Sequence, residues 1–254
     1  MGAPEVTKPL EDLVAESDRV IAAAQRLKVP VRLAGGLAIR RLCPAARQPP
    51  LKRVYADLDL AIAGHTSHSP LKELMIGLGY QADVQFNTIN GSTRLLYHDP
   101  FHGRHVDVFV DAIRMCHVID FKNRLSVMEE TLTPSDLLLS KLQIVQLNAK
   151  DLLDAVALLH DQPIVSGTNG GIDGTYLADI WGGDWPLWRT SQLTLAKIQH
   201  AVIDLLEVDA RLRVLGSISA LTDILDSGRK SLRWRARAQV GDRIRWYELP
   251  DEVG

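Results

Sequence analysis

Cysteine is nearly absent from this chain: Cys43 and Cys116 are the only two in 254 residues. Two isolated thiols make neither a disulfide framework nor a C-x-x-C metal motif, and they read as inert thiols of a reducing compartment. Long apolar runs are missing too. None approaches the roughly 20 residues that cross a bilayer as a helix, so no membrane partner is expected. Met1-Gly2-Ala3-Pro4-Glu5 lacks the basic segment and apolar stretch of a signal peptide. Val6 stands where a myristoylation motif wants Ser or Thr, and a cytoplasmic location is expected. Neither sign of charge dominates, since 29 Lys plus Arg meet 31 Asp plus Glu for a formal net charge of -2. Any contact with nucleic acid must therefore come from a local patch. Internal repeats and low-complexity tails are absent. The Gly-rich stretch 163–174 has no Walker lysine and reads as a flexible loop.

What is present is a composition of 46% hydrophobic and 24% charged residues, enough at this length for one large domain or two small ones. Leu10, Leu13, Val14, Val20, Ile21 and Leu27 predict an amphipathic helix over 10–28, closed at Val29-Pro30. Strand-like runs follow at 31–34, 53–62, 82–88, 92–97 and 105–112, with a helical stretch at 70–78. Asn90-Gly91 reads as a hairpin turn. Thr133-Pro134-Ser135-Asp136 opens a helix with an N-cap, an early proline and a capping box. Further helices are predicted at 151–160, 175–181, 191–207 and 208–228, then a hairpin over 231–249 turning at Gly241-Asp242. The expected fold class is α+β. A mixed sheet with helices packed on it occupies 1–128, and a mainly helical C-terminal region over 129–254 ends in the β-hairpin.

The chemistry concentrates in carboxylates and glycines. Asp57 and Asp59 in Asp57-Leu58-Asp59 project from one face of a strand, about 7 Å apart at their α-carbons, and Leu58 and Leu60 from the other. Two such carboxylates can converge on a pair of Mg²⁺ ions, which clamp the attacking and leaving oxygens of a displacement at phosphorus. A third carboxylate from a neighbouring strand completes such a site. Asp107 and Asp111 both lie in the run 105–111, about 13 Å apart, so only one reaches the metals. Asp107, at the centre of the run, is favoured, and Asp111 reads as a strand-end residue. Gly35 and Gly36 lack Cβ atoms and let the backbone approach a triphosphate. A helix over 37–42 would offer its free N–H groups to phosphate oxygens.

This order of motifs resembles the DNA polymerase β-like nucleotidyltransferase superfamily. Gly35-Gly36-Leu37-Ala38-Ile39, Ala56-Asp57-Leu58-Asp59-Leu60 and Val106-Asp107-Val108 carry the resemblance. The long gap between the glycine pair and the D-x-D is more similar to the AbiEii-type group, the nucleotidyltransferase toxins of toxin–antitoxin pairs. Leu137-Leu138-Leu139-Ser140-Lys141-Leu142 and Lys150-Asp151-Leu152-Leu153-Asp154 are similar to that group's helical Lys and Lys-Asp-x-x-Asp elements. The resemblance covers residues 30–160. It implies a nucleotidyltransferase-type sheet and transfer of NMP from an NTP to an acceptor hydroxyl of RNA, tRNA or protein, with loss of pyrophosphate. Asp57, Asp59 and Asp107 would bind metal, Gly35, Gly36, Lys141 and Asp151 would bind nucleotide, and an antitoxin would be a partner.

Lys141 stands out on its own as well, near the middle of an apolar stripe. A buried ammonium needs a partner, and a triphosphate would serve; the alternative is a lysine snorkelling along its stem. Asp151 reads equally as a first-turn acid favoured by the helix dipole. Arg229, Lys230, Arg233, Arg235, Arg237, Arg243 and Arg245 crowd the last predicted hairpin, with Trp246 and Tyr247 beside them. Either they contact an RNA backbone with aromatic stacking, or they are solvated charges protecting a sheet edge. His102-Gly103-Arg104-His105 reads as a polar turn rather than a metal site. Two rival functions are a small-molecule transferase acting on an aminoglycoside-like hydroxyl and a non-catalytic nucleotide-binding protein of the same fold. The intact acids at 57, 59 and 107 speak against the second.

Overall fold

A computed structural model of the protein describes residues 7–168 and 170–249. The residues on which the expectation about a signal peptide and myristoylation rests lie outside this range. The chain divides into two compact units. The first takes the chain up to Ala38, Val54–Ile113 and Asp120–Leu132; the second takes Ile39–Arg53, Arg114–Ile119 and the chain from Thr133 on. Among the described residues no helix is long and apolar enough to cross a membrane. The fold is α+β, with a mixed sheet and a mostly helical C-terminal region.

The first unit opens with α1 (Leu13–Arg26), where the Asp12 carboxylate accepts the Ala15 N–H at 2.7 Å as N-cap. Its chain then runs through β1 (Arg32–Leu33), the start of α2 (Gly35–Leu42), β2 (Leu58–Ile62), α3 (His68–Gly77), β3 (Gln81–Ala82), α4 (Val84–Asn90), β4 (Arg94–Asp99) and β5 (Arg104–Val110). The sheet order is β1-β2-β5-β4-β3, with β2 and β5 parallel and the other pairs antiparallel. Alternation along the central strands sorts side chains by face. Leu58, Leu60, Val106, Val108 and Val110 are fully buried, while Asp59, Asp107 and Phe109 are half-buried on the other face. Each such buried aliphatic side chain contributes about 2 kcal/mol of burial free energy, so the register is fixed against a one-residue slip.

Two further strands, β6 (Ala112–Arg114) and β7 (Val118–Asp120), follow in the chain. In the second unit α5 (Pro134–Leu142) and α6 (Ala149–Asp161) are joined by two short parallel strands, β8 (Ile164–Val165) and β9 (Ile172–Asp173), to α7 (Gly174–Gly183), α8 (Trp185–Leu205), α9 (Val208–Ser227) and α10 (Leu232–Val240). The loop expected over 163–174 therefore contains a strand pair. α5 packs on α6 and α8, and α9 packs on α6, α7 and α8. Thr133 caps α5, accepting the Asp136 N–H at 3.2 Å while its hydroxyl donates to the Asp136 carboxylate at 2.6 Å.

Three expectations are overturned. The strand expected over 82–88 is mostly helix α4, because Asp83 accepts the Phe86 N–H at 2.8 Å and caps it. Asn87 then takes over the work of a strand: its amide accepts from the Leu96 N–H at 2.6 Å and donates to the Leu96 carbonyl at 3.0 Å. Asn90-Gly91 consequently ends a helix instead of turning a hairpin, with Gly91 in the right-handed helical region. The hairpin expected over 231–249 is also absent. Ser231 caps α10 by accepting the Trp234 N–H at 3.1 Å, and Gly241, at φ +59°, stops the helix. Leu, Arg and Ala are strong helix formers, and a capped start outweighs the alternating pattern of Arg233-Trp234-Arg235-Ala236. The division expected at 128/129 lies near the last of several changeovers between the two units, at 132/133, the others falling at 38/39, 53/54, 113/114 and 119/120. Leu33 donates to Glu130 and accepts from Leu132, at 2.8 and 2.9 Å, drawing 130–132 onto β1.

Candidate functional site

The parallel pairing of β2 and β5 puts Asp59 and Asp107 directly side by side, in register. Neighbouring strands lie about 4.8 Å apart, so these two carboxylates share one patch of one sheet face. Asp57 lies one residue ahead of β2 and is exposed. The carboxylate of Asp59 rests against the start of α2. A Cβ placed on Gly35 would stand 1.9 Å from Asp59 Oδ2, and Gly35 has φ +59°, a conformation that glycine adopts without strain. The backbone ties the same residues together, since the Ala34 N–H donates to the Asp59 carbonyl at 2.8 Å. Glycine at 35 thus admits a carboxylate to a helix N-terminus, where the macrodipole favours negative charge.

Asp107 is held by Arg94 of β4, whose Nε and Nη2 reach its Oδ1 at 2.7 and 2.6 Å. The Arg94 guanidinium lies 5.9 Å from the Phe86 ring centre and 5.8 Å from that of Phe109. Register puts Arg94 opposite Phe109 and diagonal to Asp107. Asp111 is built differently. It follows β5 at φ +64°, accepts the Gly64 N–H at 2.7 Å and pairs with Lys122 at 3.2 Å. Its carboxylate serves a turn, whereas Asp107 shares the face with Asp59. Among the described residues no group of three or more His, Cys, Asp or Glu is placed to hold a metal ion by itself.

Lys141 and Asp151 meet each other, in the second unit. Lys141 is 8% exposed, and its ammonium lies 2.7 Å from Asp151 Oδ1 and 2.9 Å from Asp154 Oδ2. Arg53 grips Asp154 from the other side with two bonds of 2.7 and 2.8 Å. Burial pulls the Lys141 pKa down, but Asp154 and Asp151 outweigh it and hold the ammonium above the ordinary lysine value. Burial likewise pushes Asp154 up, and Lys141 and Arg53 bring it below the ordinary carboxylate value. The turn around His102 is a third cluster: Asp99 accepts from Arg104 at 2.5 Å and lies 2.8 Å from His102 Nδ1. Burial opposes ionisation of Asp99, yet Arg104 and His102 bring its pKa down to about 2.

Sequence reasoning placed Asp154 in the Lys-Asp-x-x-Asp element without giving it a partner, did not single out Arg94, and did not pair Arg53 with a carboxylate. Arg94 announces itself only as a charge ahead of the apolar run Leu95-Leu96-Tyr97, and Arg53 meets Asp154 across 101 positions. Glu16, fully buried in α1, was also missed; it accepts from Arg19 Nη2 at 2.7 Å, Tyr80 Oη at 2.6 Å and the Leu10 N–H at 2.9 Å.

Compared with known proteins, the chain matches no family model and no curated protein. The class that can be stated is an α+β fold with a mixed sheet, and function has to be read from the chemistry of the sites themselves.

Proposed function

We propose that the first unit is a magnesium-dependent nucleotidyltransferase that moves NMP from an NTP to an acceptor hydroxyl. The observation that carries the reading is the registered pair Asp59 and Asp107, with the Asp59 carboxylate seated against Gly35 at the start of α2. The donors are all carboxylate oxygens. Mg²⁺ is commonly held by one or two carboxylates and completed by substrate phosphates and water, so the residues present fit the ion without a protein cage. Asp57 and Asp59 are the holders. When bound, Mg²⁺ would neutralise charge developing on the attacking and leaving oxygens.

In the transfer the acceptor oxygen bonds to the α-phosphorus, the bond to the β-phosphate breaks, and pyrophosphate leaves. Asp107 receives the acceptor's proton or serves as the third ligand, and Arg94 steadies it in the meantime. Gly35 and Gly36 begin a helix whose first N–H groups have no earlier partner in that helix, a setting that favours phosphate oxygens. Lys141 is assigned a different role from the phosphate contact expected of it. Releasing it would leave Asp151 without its ammonium and deeply buried Asp154 with Arg53 alone, and breaking a buried pair costs about 3–5 kcal/mol. We therefore read Lys141 and Asp151 as holding α5 on α6.

The test is transfer of label from each α-labelled NTP, with Mg²⁺, to total RNA and to the protein, alongside an Asp57→Ala/Asp59→Ala variant. Label that enters RNA or protein only with the acids intact supports the reading and identifies the acceptor class. Label that persists in the variant removes the metal assignment. NTP binding by calorimetry with no transfer to RNA, protein or an aminoglycoside would assign a nucleotide-binding protein instead of an enzyme.

A further inference from the structure

The second unit has a cleft of about 780 Å³ that the first unit's chemistry does not use. It is walled by aromatic rings and arginines. The Arg237 guanidinium lies 4.4 Å from the centre of the Trp185 ring, and Trp246 stands edge-on to Trp185 at 6.0 Å. Arg245 lies over Tyr247 at 4.9 Å. The helical form of 232–240 matters here, because positions 233 and 237 share a helix face, and Arg233, Trp234 and Arg237 all line the cleft.

These walls are tied down. Trp246 Nε1 donates to the Thr190 hydroxyl at 3.0 Å, and that hydroxyl lies 2.7 Å from His117 Nε2. The Glu248 N–H reaches the Cys116 carbonyl at 3.1 Å. Arg237 binds the Gly241 and Ile244 carbonyls at 2.8 and 2.9 Å, which fixes the turn after α10. Several polar groups of the described lining, Arg114 and the Glu248 carboxylate among them, have no side-chain partner, and two bear on a ligand. Trp234 Nε1 is buried without a hydrogen-bond partner, and Arg233 has no ion pair among the described residues. Asp184, an acid of the lining, is already committed to capping α8 through the Leu187 N–H at 2.9 Å.

A cleft of this volume suits a small organic ligand. Flat aromatic walls take a flat ring, arginines favour phosphate, and an unpaired indole N–H wants an acceptor. We propose that this cleft binds a phosphorylated nucleoside unit, its base stacked among the tryptophans and its phosphate on Arg233, whether free or as the end of a single strand. The site stands apart from the reading of the first unit and does not depend on it.

All five tryptophans lie between 181 and 246, hence in the second unit, so intrinsic fluorescence of the full chain reports this unit alone. Titration with adenosine 5′-monophosphate in EDTA should quench it, with adenosine and inorganic phosphate each at least about tenfold weaker. Arg233→Gln should weaken binding about fivefold or more, and Trp234→Phe, which keeps a ring and deletes the donor, a few-fold. Asp59→Asn should bind as the parent does. A 5′-phosphorylated pentanucleotide that binds about tenfold tighter than the mononucleotide identifies a strand end, and equal affinity a free nucleotide. The proposal is overturned if neither quenches at millimolar concentration, or if phosphate or a pentaglutamate peptide binds as well as the mononucleotide. It is overturned as well if Arg233→Gln changes nothing.

Discussion

Two charged clusters in this protein use the same side-chain types and sit in opposite surroundings. In the first unit Asp59 and Asp107 share a half-buried sheet face with Arg94 at its side, and exposed Asp57 is next to it in sequence. In the second, Asp154 and Lys141 are buried, and Lys141 and Arg53 clamp Asp154 between them. A buried pair has its Coulomb gain offset by desolvation, so its partners are costly to separate. A half-exposed cluster loses little when a partner swings away. On the proposed reading, the open cluster carries the chemistry and the buried one holds helices together.

The sharpest way to break that contrast is to cut each cluster and read both activity and stability. Asp59→Ala should lower nucleotide transfer by about a thousandfold or more while barely moving the melting temperature. Lys141→Met should do the reverse, costing about 3–5 kcal/mol in denaturant unfolding, with transfer retained by whatever fraction remains folded. If Lys141→Met instead leaves stability intact and abolishes transfer, Lys141 belongs with the phosphates and the division fails.

Gly35→Ala tests the open cluster from its backbone side. The added methyl would overlap Asp59 and occupy a left-handed position, so both transfer and stability should fall, the latter by about 1–3 kcal/mol. Adding Asp59→Gly should relieve the overlap and return part of the stability, leaving the left-handed strain at 35 and no activity.

A smaller effect separates the clusters by pH. Asp154 lies below the ordinary carboxylate value when folded, so its contribution is present above the unfolded value near 4 and is lost as pH falls through the folded one. Lys141 is raised, so its contribution is complete below the unfolded lysine value and is lost as pH climbs through the folded one. Asp99, at about 2, adds to the acid side. Unfolding free energy should therefore decline from about pH 4 towards pH 2, and Asp99→Asn should shallow that decline while lowering the neutral plateau. Smallest of all, burial pushes the Cys43 thiol up to about 12, and a disulfide reagent at neutral pH should modify it only as fast as the protein unfolds.

What the sequence disclosed follows the same physics. Burial alternates over Leu58–Leu60 and His105–Val110, so the faces that carry Asp59 and Asp107 were legible, and Thr133 announced α5 through its cap. The two misread segments are those where alternation is locally as good as a strand's but a single capping side chain, Asp83 or Ser231, decides otherwise. Partners were the least legible. Lys141 was recognisable as needing one, but only the packing of α6 on α5 supplies Asp151 and Asp154, and only the folded chain brings Arg53 across to Asp154. Arg94 finds Asp107 by a diagonal set by register, which no spacing in the sequence expresses.

The amide of Asn87 has one more consequence. β3 is only two residues long, and just beyond it the Leu96 carbonyl accepts the Asp83 N–H at 2.9 Å, while the Leu96 N–H would stand bare to any passing strand without Asn87. By taking that N–H and adding a second donor to the carbonyl, one side chain completes the closure of a border that could otherwise template aggregation. Asn87→Ala would bare the Leu96 N–H, so this strand edge is guarded by a side chain from the helix just ahead of it in sequence, nine positions before the residue it covers.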